Sequence, residues 1–189
     1  MAAEETSGGG AGEVPGARLD EVMPQWHFRK RPHRVRIDGP GEAVLRAVTE
    51  VTWSEVPLFC TLLRVASFGR VRRDPGRAVL EEFLSSGFTT LMRDDRELVL
   101  AAVSGGEPFP PHDADGARVA WFRDYAEPAS TKVAFDFRFV DGVLSTETRV
   151  FGADEAARGR FRRYWSLIRL PAGLVRREIL HAVRRRVQQ

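Results

Sequence analysis

The chain has 189 residues, 43% hydrophobic and 29% charged, ordinary proportions for one globular domain long enough to bury a core without covalent staples. One cysteine, Cys60, excludes an internal disulfide, and no apolar run nears the roughly 18 residues of a membrane span. The net charge of +3 conceals an asymmetry: residues 158–189 carry ten arginines and one acid, Glu178, for +9, leaving −6 on the remainder.

Residues 1–20 are small, polar and without periodicity, and read as a disordered leader before a single domain over 22–188. Met1 to Gly12 has neither the basic start nor the apolar centre of a signal peptide, so a cytoplasmic location is expected. His33 to Ile37 alternates polar and apolar residues as a first strand should. Pro40 then suits the first turn of a helix carrying Val44, Leu45 and Val48 at helical spacing. Thr52 and Glu55 have capping-box spacing, but that start would leave Pro57 inside the helix. A start at Ser54 places Pro57 in the first turn and aligns Leu58, Phe59, Leu62, Leu63 and Ala66 on one face. Cys60 lies in this apolar run and reads as a buried small hydrophobe, suited to a reducing compartment.

Asp74-Pro75 predicts another helix start, leading to Val79, Leu80, Phe83 and Leu84 and stopping at Gly87. A hairpin follows, Phe88 to Arg93 and Glu97 to Val103 about a turn at Asp94-Asp95. Residues 104–117 are a loop rich in Gly, Pro and Asp, and the aromatics of 119–125 fit either helix or strand. In Thr131 to Phe151, apolar residues alternate on both sides of Asp141-Gly142, a strong two-residue turn signal. If Val140 faces Val143, one face holds Val133, Phe135, Phe137, Phe139, Leu144, Thr146, Thr148 and Val150. The other holds Asp136, Arg138, Glu147 and Arg149. The first is expected to face the core and the second the solvent. Ala157, Phe161, Trp165 and Ile168 form a helical stripe that resumes at Val175, Ile179 and Val183, with a break or kink expected at Pro171.

The pattern is α+β: a strand, two or three helices, several antiparallel strands and a long terminal helix. Several segments resemble the SRPBCC superfamily, also called START-like, and look most like its actinobacterial members. They are Gly41-Glu42-Ala43-Val44, Leu144-Ser145-Thr146-Glu147-Thr148-Arg149-Val150, Phe161-Arg162-Arg163-Tyr164-Trp165, Ile168-Arg169 and Leu174-Val175-Arg176-Arg177. The resemblance implies a helix-grip fold, in which a curved antiparallel sheet wraps the C-terminal helix. It also implies a cavity between sheet and helix for an apolar or amphipathic small molecule. It carries over no catalytic residue.

The histidines His27, His33, His112 and His181 are scattered without a second ligand at metal-binding spacing, and no cofactor or metal is expected. Gly8-Gly9-Gly10 and Gly105-Gly106 lack the setting of a phosphate loop. The best pocket candidates are Phe135, Phe137, Thr146, Thr148, Phe161 and Trp165, the threonines offering hydroxyls within an apolar lining. Asp136, Arg138, Glu147 and Arg149 form an alternative polar site. If that side lined the cavity, Glu147 or Asp136 would be the general base of a cyclase- or isomerase-type enzyme. A third reading gives the arginine-rich end to nucleic acid or an anionic membrane surface. The weightier reading is that these arginines solvate an exposed helix face, opposite or beside the apolar stripe.

Overall fold

Asp141 and Gly142 both adopt left-handed backbone, with φ of 51° and 74°, the conformation a two-residue hairpin turn of this hand demands. They join β4 (Thr131–Val140) to β5 (Val143–Gly152), and Val140 stands opposite Val143 as the turn spacing predicts. The same register holds along the hairpin, through Phe139 with Leu144 and Phe135 with Thr148 to Thr131 with Gly152. In this computed structural model the described residues are 17–66, 70, 73–110 and 116–189, with the side chains of 31, 66 and 167–171 also outside the description. The glycine-rich part of the expected leader, His112, and the side chains of Ala66 and Ile168 therefore lie outside the described residues.

The hairpin is the middle of a five-stranded antiparallel sheet of order β1-β5-β4-β3-β2, with β1 at Phe28–Arg36, β2 at Thr89–Arg93 and β3 at Glu97–Ser104. The β2–β3 hairpin forms where alternation predicts it. Strand β1 begins earlier than its apolar alternation indicates, and includes the basic run Arg29-Lys30-Arg31. Pro32 is tolerated there because β1 is an edge strand whose register shifts between Lys30 and His33.

Helix α1 (Arg18–Val22) corrects the leader boundary: order begins before residue 20, because Leu19, Val22 and Met23 are buried. Helix α2 (Gly41–Glu50) forms as expected, with Pro40 at its N-cap position, one residue before the first turn where its spacing places it. Pro57 is the first residue of α3 (Pro57–Ala66), where its missing N–H costs nothing. The capping pair set aside in favour of Ser54 does form, on a separate 3-10 turn over Trp53–Glu55. There the Glu55 carboxylate accepts from the Thr52 amide at 2.8 Å and its hydroxyl at 3.0 Å. Asp74-Pro75 starts a turn rather than a helix. The Asp74 carboxylate takes the Gly76 amide at 2.9 Å, and α4 (Val79–Ser85) begins only afterwards. The ambiguous segment is helical, as α5 (Ala117–Asp124).

Helix α6 (Glu155–Val187) runs 33 residues from an Asp154 cap, whose carboxylate accepts the Ala157 amide at 2.7 Å. It passes through Pro171 without the expected break. The ring withdraws one N–H from the Leu167 carbonyl, and contacts of α6 with β1, β5, β4, α2 and α3 hold the helix on both sides.

One face of the sheet packs with α2, α4 and α6 into the main core. Leu98, Leu100, Phe137, Phe139 and Leu144 meet Val44, Leu45, Val48, Ile179, Leu180 and Val183 there. The opposite face is covered as well. Val99, Ala101 and Ala134 form a second core with Leu19, Val22 and Met23 from the N-terminal segment and Phe122 of α5.

Glu178, the lone acid of the arginine-rich end, has a structural use. Its carboxylate accepts the Leu58 and Phe59 amides, each at 2.7 Å, so α6 supplies the N-terminal cap that α3 lacks in its own sequence. Glu178→Ala should lower unfolding free energy by about 1–2 kcal/mol in urea titration, as loss of a helix cap does. A change of only a few tenths would show that water replaces this cap freely.

Candidate functional site

Cross-strand pairing sets the α6-facing side of the sheet out in rows. Phe28 lies beside Val150 and Val133, Lys30 beside Thr148 and Phe135, His33 beside Thr146, and Val35 beside Leu144 and Phe139. Thr146 continues to Phe137 in the hairpin register, and Phe137 and Phe135 pair onward with Leu98 and Leu100. The face assignment made from alternation therefore holds: Phe135, Phe137, Thr146 and Thr148 all stand on the side that α6 covers.

The six pocket candidates separate into two groups. Phe135 and Phe137 belong to an aromatic cluster with Phe83 and Phe88, in which Phe135 lies 5.6 Å from Phe83 and 5.4 Å from Phe88. Phe137 and Thr146 are buried, whereas Phe135 and Thr148 are half-buried. Phe161 and Trp165 project from α6 at the other end of the seam and meet Phe28 of β1, with centroids 5.0 and 6.1 Å apart. Both are half-buried, and among the described residues neither core cluster includes these three rings.

Between the aromatic end of the seam and the buried end of α6 lies a basic stretch. A Cβ built on Gly173 would stand 3.4 Å from Lys30 Nζ and 3.5 Å from His33 Nε2, so the bare helix backbone rests against both side chains. One turn further, burial lowers the Arg176 guanidinium to about 10. The same effect, with Arg176, Lys30 and Arg177 nearby, lowers His33 below the ordinary histidine value. A crevice of about 420 Å³ opens beside these groups between β1 and α6, lined by His33, Arg34, Val35, Arg177, Leu180 and His181.

The alternative polar set departs from expectation. Asp136, Glu147 and Arg149 are not solvated: they are 4%, 6% and 3% exposed, because α1 and its flanking residues cover that face. Arg138 is half-buried beside Glu97, 3.5 Å from its carboxylate. Glu147 sits between two guanidinium groups, with Arg29 Nε and Nη2 and Arg149 Nε each at 2.7 Å. Burial would raise its carboxyl, but these bonds outweigh burial and hold it below the usual range. Asp136 has no such clamp. Its carboxylate accepts only the Glu147 amide, at 2.6 Å, among the described residues, and burial pushes it up to about 7.

Arg149 reaches across to the N-terminal segment, donating to the carbonyls of Leu19 and Met23 and to Asp20, with Trp26 stacked over its guanidinium at 4.4 Å. Glu97 completes the tie by accepting the amides of Arg18 and Leu19 at 2.9 and 3.0 Å. The four polar candidates thus come together, as an internal lock holding α1 on the sheet. On the same face a second crevice, about 430 Å³, is lined by Arg123, Tyr125, Lys132 and Phe151 among others. Lys132 donates to the Phe122 and Arg123 carbonyls at its edge, and burial lowers its amine to about 8.

Comparison with family models, with curated proteins and with solved structures gives no match in any of the three. Among the described residues no group of three His, Cys, Asp or Glu side chains is arranged to hold a metal ion, and no helix is long and apolar enough to cross a membrane. Cys60 is half-buried, its thiol directed at the Trp53 carbonyl at 3.3 Å, and burial raises its pKa.

Two of the basic groups at the seam were legible as residues but not as a site. Arg176, expected on the solvated face of α6, precedes Leu180, Val183 and Val187 at spacings of four, three and four, the row that packs into the core. That spacing was the available signal. His33 stands on the inward side of β1 with Val35, by the alternation that located the strand. Other parts of the +9 are used internally: Arg186 bonds Glu55 and Glu50, and Arg160 bonds the Ala129 carbonyl.

Proposed function

We propose that the chain is a helix-grip domain of the SRPBCC, START-like kind that holds an amphipathic small molecule between the sheet and α6. The observation that carries this reading is the aromatic group of Phe28, Phe161 and Trp165. Three large rings meet at the sheet–helix seam, yet all three stay half-buried and none joins either core among the described residues. Apolar surface gathered at a concave junction and left partly uncovered is what an apolar ligand would bury. The crevice between β1 and α6 continues the same seam. Pro171, by removing one backbone bond midway along α6, gives the helix a place to bend as the seam opens.

The enzyme reading has less support. Asp136 and Glu147 are on the face turned away from α6, and neither lines either crevice, so no general base reaches a ligand at the seam through them.

Native mass spectrometry tests the binding reading. The purified protein should carry an adduct of small-molecule mass that is lost under denaturing conditions. Phe161→Ala combined with Trp165→Ala should reduce its occupancy about tenfold or more, since each aromatic contact contributes about 1 kcal/mol beyond simple burial. A protein that emerges ligand-free and takes up no fatty acid, sterol or polyketide-like amphiphile from a panel would overturn the proposal.

A further inference from the structure

Among the described residues Arg176 has no ion-pair partner on its own side of the sheet: its Nη1 is sealed from solvent and finds no hydrogen-bond partner, and His33 Nε2 is in the same condition. Lys30 Nζ and His33 Nε2 converge on the Gly173 backbone one helical turn before Arg176. The carboxylates whose field reaches Arg176 are Asp136 and Glu147, and both are committed on the opposite face, to the Glu147 amide and to Arg29 and Arg149. The crevice beside this group is lined by His33, Arg34, Arg177 and His181, with no acid in its lining. A desolvated guanidinium with an unsatisfied N–H is strongly unfavourable unless an anion meets it. A well-folded chain keeping such a group at a seam with an open crevice has an arrangement in need of a counter-ion.

We infer that the β1–α6 crevice receives the anionic head, carboxylate or phosphate, of the bound amphiphile, with Arg176 as its counter-charge and His33 as a second donor. This deepens, and rests on, the reading of the seam as an amphiphile site. Lys30, Arg34, Arg177 and His181 add positive potential around the same opening. From Trp165 to Arg176 is about 16 Å along the helix at about 1.5 Å per residue, so a ligand with its chain on the aromatic end and its head at Arg176 is elongated. Planar, forked donation to two oxygens is what guanidinium offers a carboxylate or phosphate and cannot offer an alcohol.

Calorimetric titration of the full chain with dodecanoate, dodecyl phosphate, dodecanol and inorganic phosphate separates the parts of this claim. Both anionic amphiphiles should bind about tenfold or more tightly than dodecanol, a charge-assisted pair contributing at least that factor; the tighter of the two identifies the head group. Arg176→Met should bring the anions to parity with dodecanol while leaving dodecanol affinity unchanged, and should not lower the thermal midpoint of the ligand-free protein, because it removes an unpaired buried charge. A merely structural arginine would weaken every ligand and lower the midpoint. His33→Gln, at the strand edge, provides a second variant and should reduce the anion preference by a smaller factor. Equal binding of dodecanol and the anions by the parent overturns the anionic head and leaves the amphiphile site standing. Arg176-dependent binding of inorganic phosphate with no gain from the dodecyl chain supports the anion subsite and overturns the amphiphile reading. Absence of all binding overturns both.

Discussion

Arg149→Met is expected to destabilise the fold by about 3–5 kcal/mol in urea unfolding, the scale seen when one member of a buried, hydrogen-bonded ion pair is removed. Methionine keeps most of the stem volume, so the loss isolates the guanidinium rather than a cavity. That group makes four hydrogen bonds, to the Glu147 carboxylate, the Leu19 and Met23 carbonyls and Asp20, at 3% exposure. Removing it leaves the Met23 carbonyl without this donor, the Leu19 carbonyl with the Met23 amide alone and Glu147 with Arg29 alone. Because those carbonyls belong to the segment that seals the second core, a further readout is specific. Limited proteolysis should open the chain near residues 17–27 in the variant at protease levels that spare the parent. A loss below about 1 kcal/mol with unchanged proteolysis would mean that the apolar contacts of Leu19, Val22 and Met23 hold the segment unaided.

Asp136→Asn is expected to stabilise the protein, and only on the alkaline side. In the folded chain burial lifts the Asp136 carboxyl to about 7, whereas in the unfolded chain it returns to about 3.9. Between these values the folded state holds a proton that the unfolded state has released. Stability from this group is therefore full below about pH 4 and declines as pH rises towards about 7. Tenfold in a proton affinity corresponds to about 1.4 kcal/mol, so the parent carries a penalty on the order of 2–4 kcal/mol at pH 8 that asparagine avoids. Asparagine also keeps an oxygen for the Glu147 amide, which bonds Asp136 at 2.6 Å. Urea midpoints of parent and variant should differ most at pH 8 and converge near pH 4. A difference independent of pH would show that Asp136 is not the titrating group.

These two residues also mark where the sequence pattern stopped being informative. Alternation and the Asp141-Gly142 turn located the central hairpin, its register and the face that meets α6, because those depend on local backbone geometry and on side-chain period alone. The same alternation assigned Asp136, Glu147 and Arg149 to solvent. A polar face reads as wet unless something elsewhere pairs with it. The pairing partners here are Arg29, Asp20 and two carbonyls of a segment with no periodicity of its own. Leu19, Val22 and Met23 are three apolar residues in a polar stretch, too few to announce a covering helix. Arg176 shows a related limit: its charge argues for the surface and its spacing for the seam, and the sealed Nη1 follows the spacing. Phe161 and Trp165, assigned by spacing, reach the seam as expected, although they share no ring contact with Phe135 and Phe137 among the described residues.

Helix α6 follows all five strands in the chain, and the edge strand β1 pairs with β5 across a gap of which the 118-residue separation of Arg29 and Glu147 is typical. The order of assembly is constrained by this layout. Strands β2 to β5 can associate hairpin by hairpin as they emerge, but Leu98, Leu100, Phe137, Phe139 and Leu144 stay uncovered until residues 155–187 have been made and have docked. Loop closure over such a span is slow, and the waiting species displays an apolar sheet with an unpaired edge at β5. Folding during synthesis is thus vulnerable late, and the helix that closes the seam with β1 is also the element whose arrival ends the danger of aggregation.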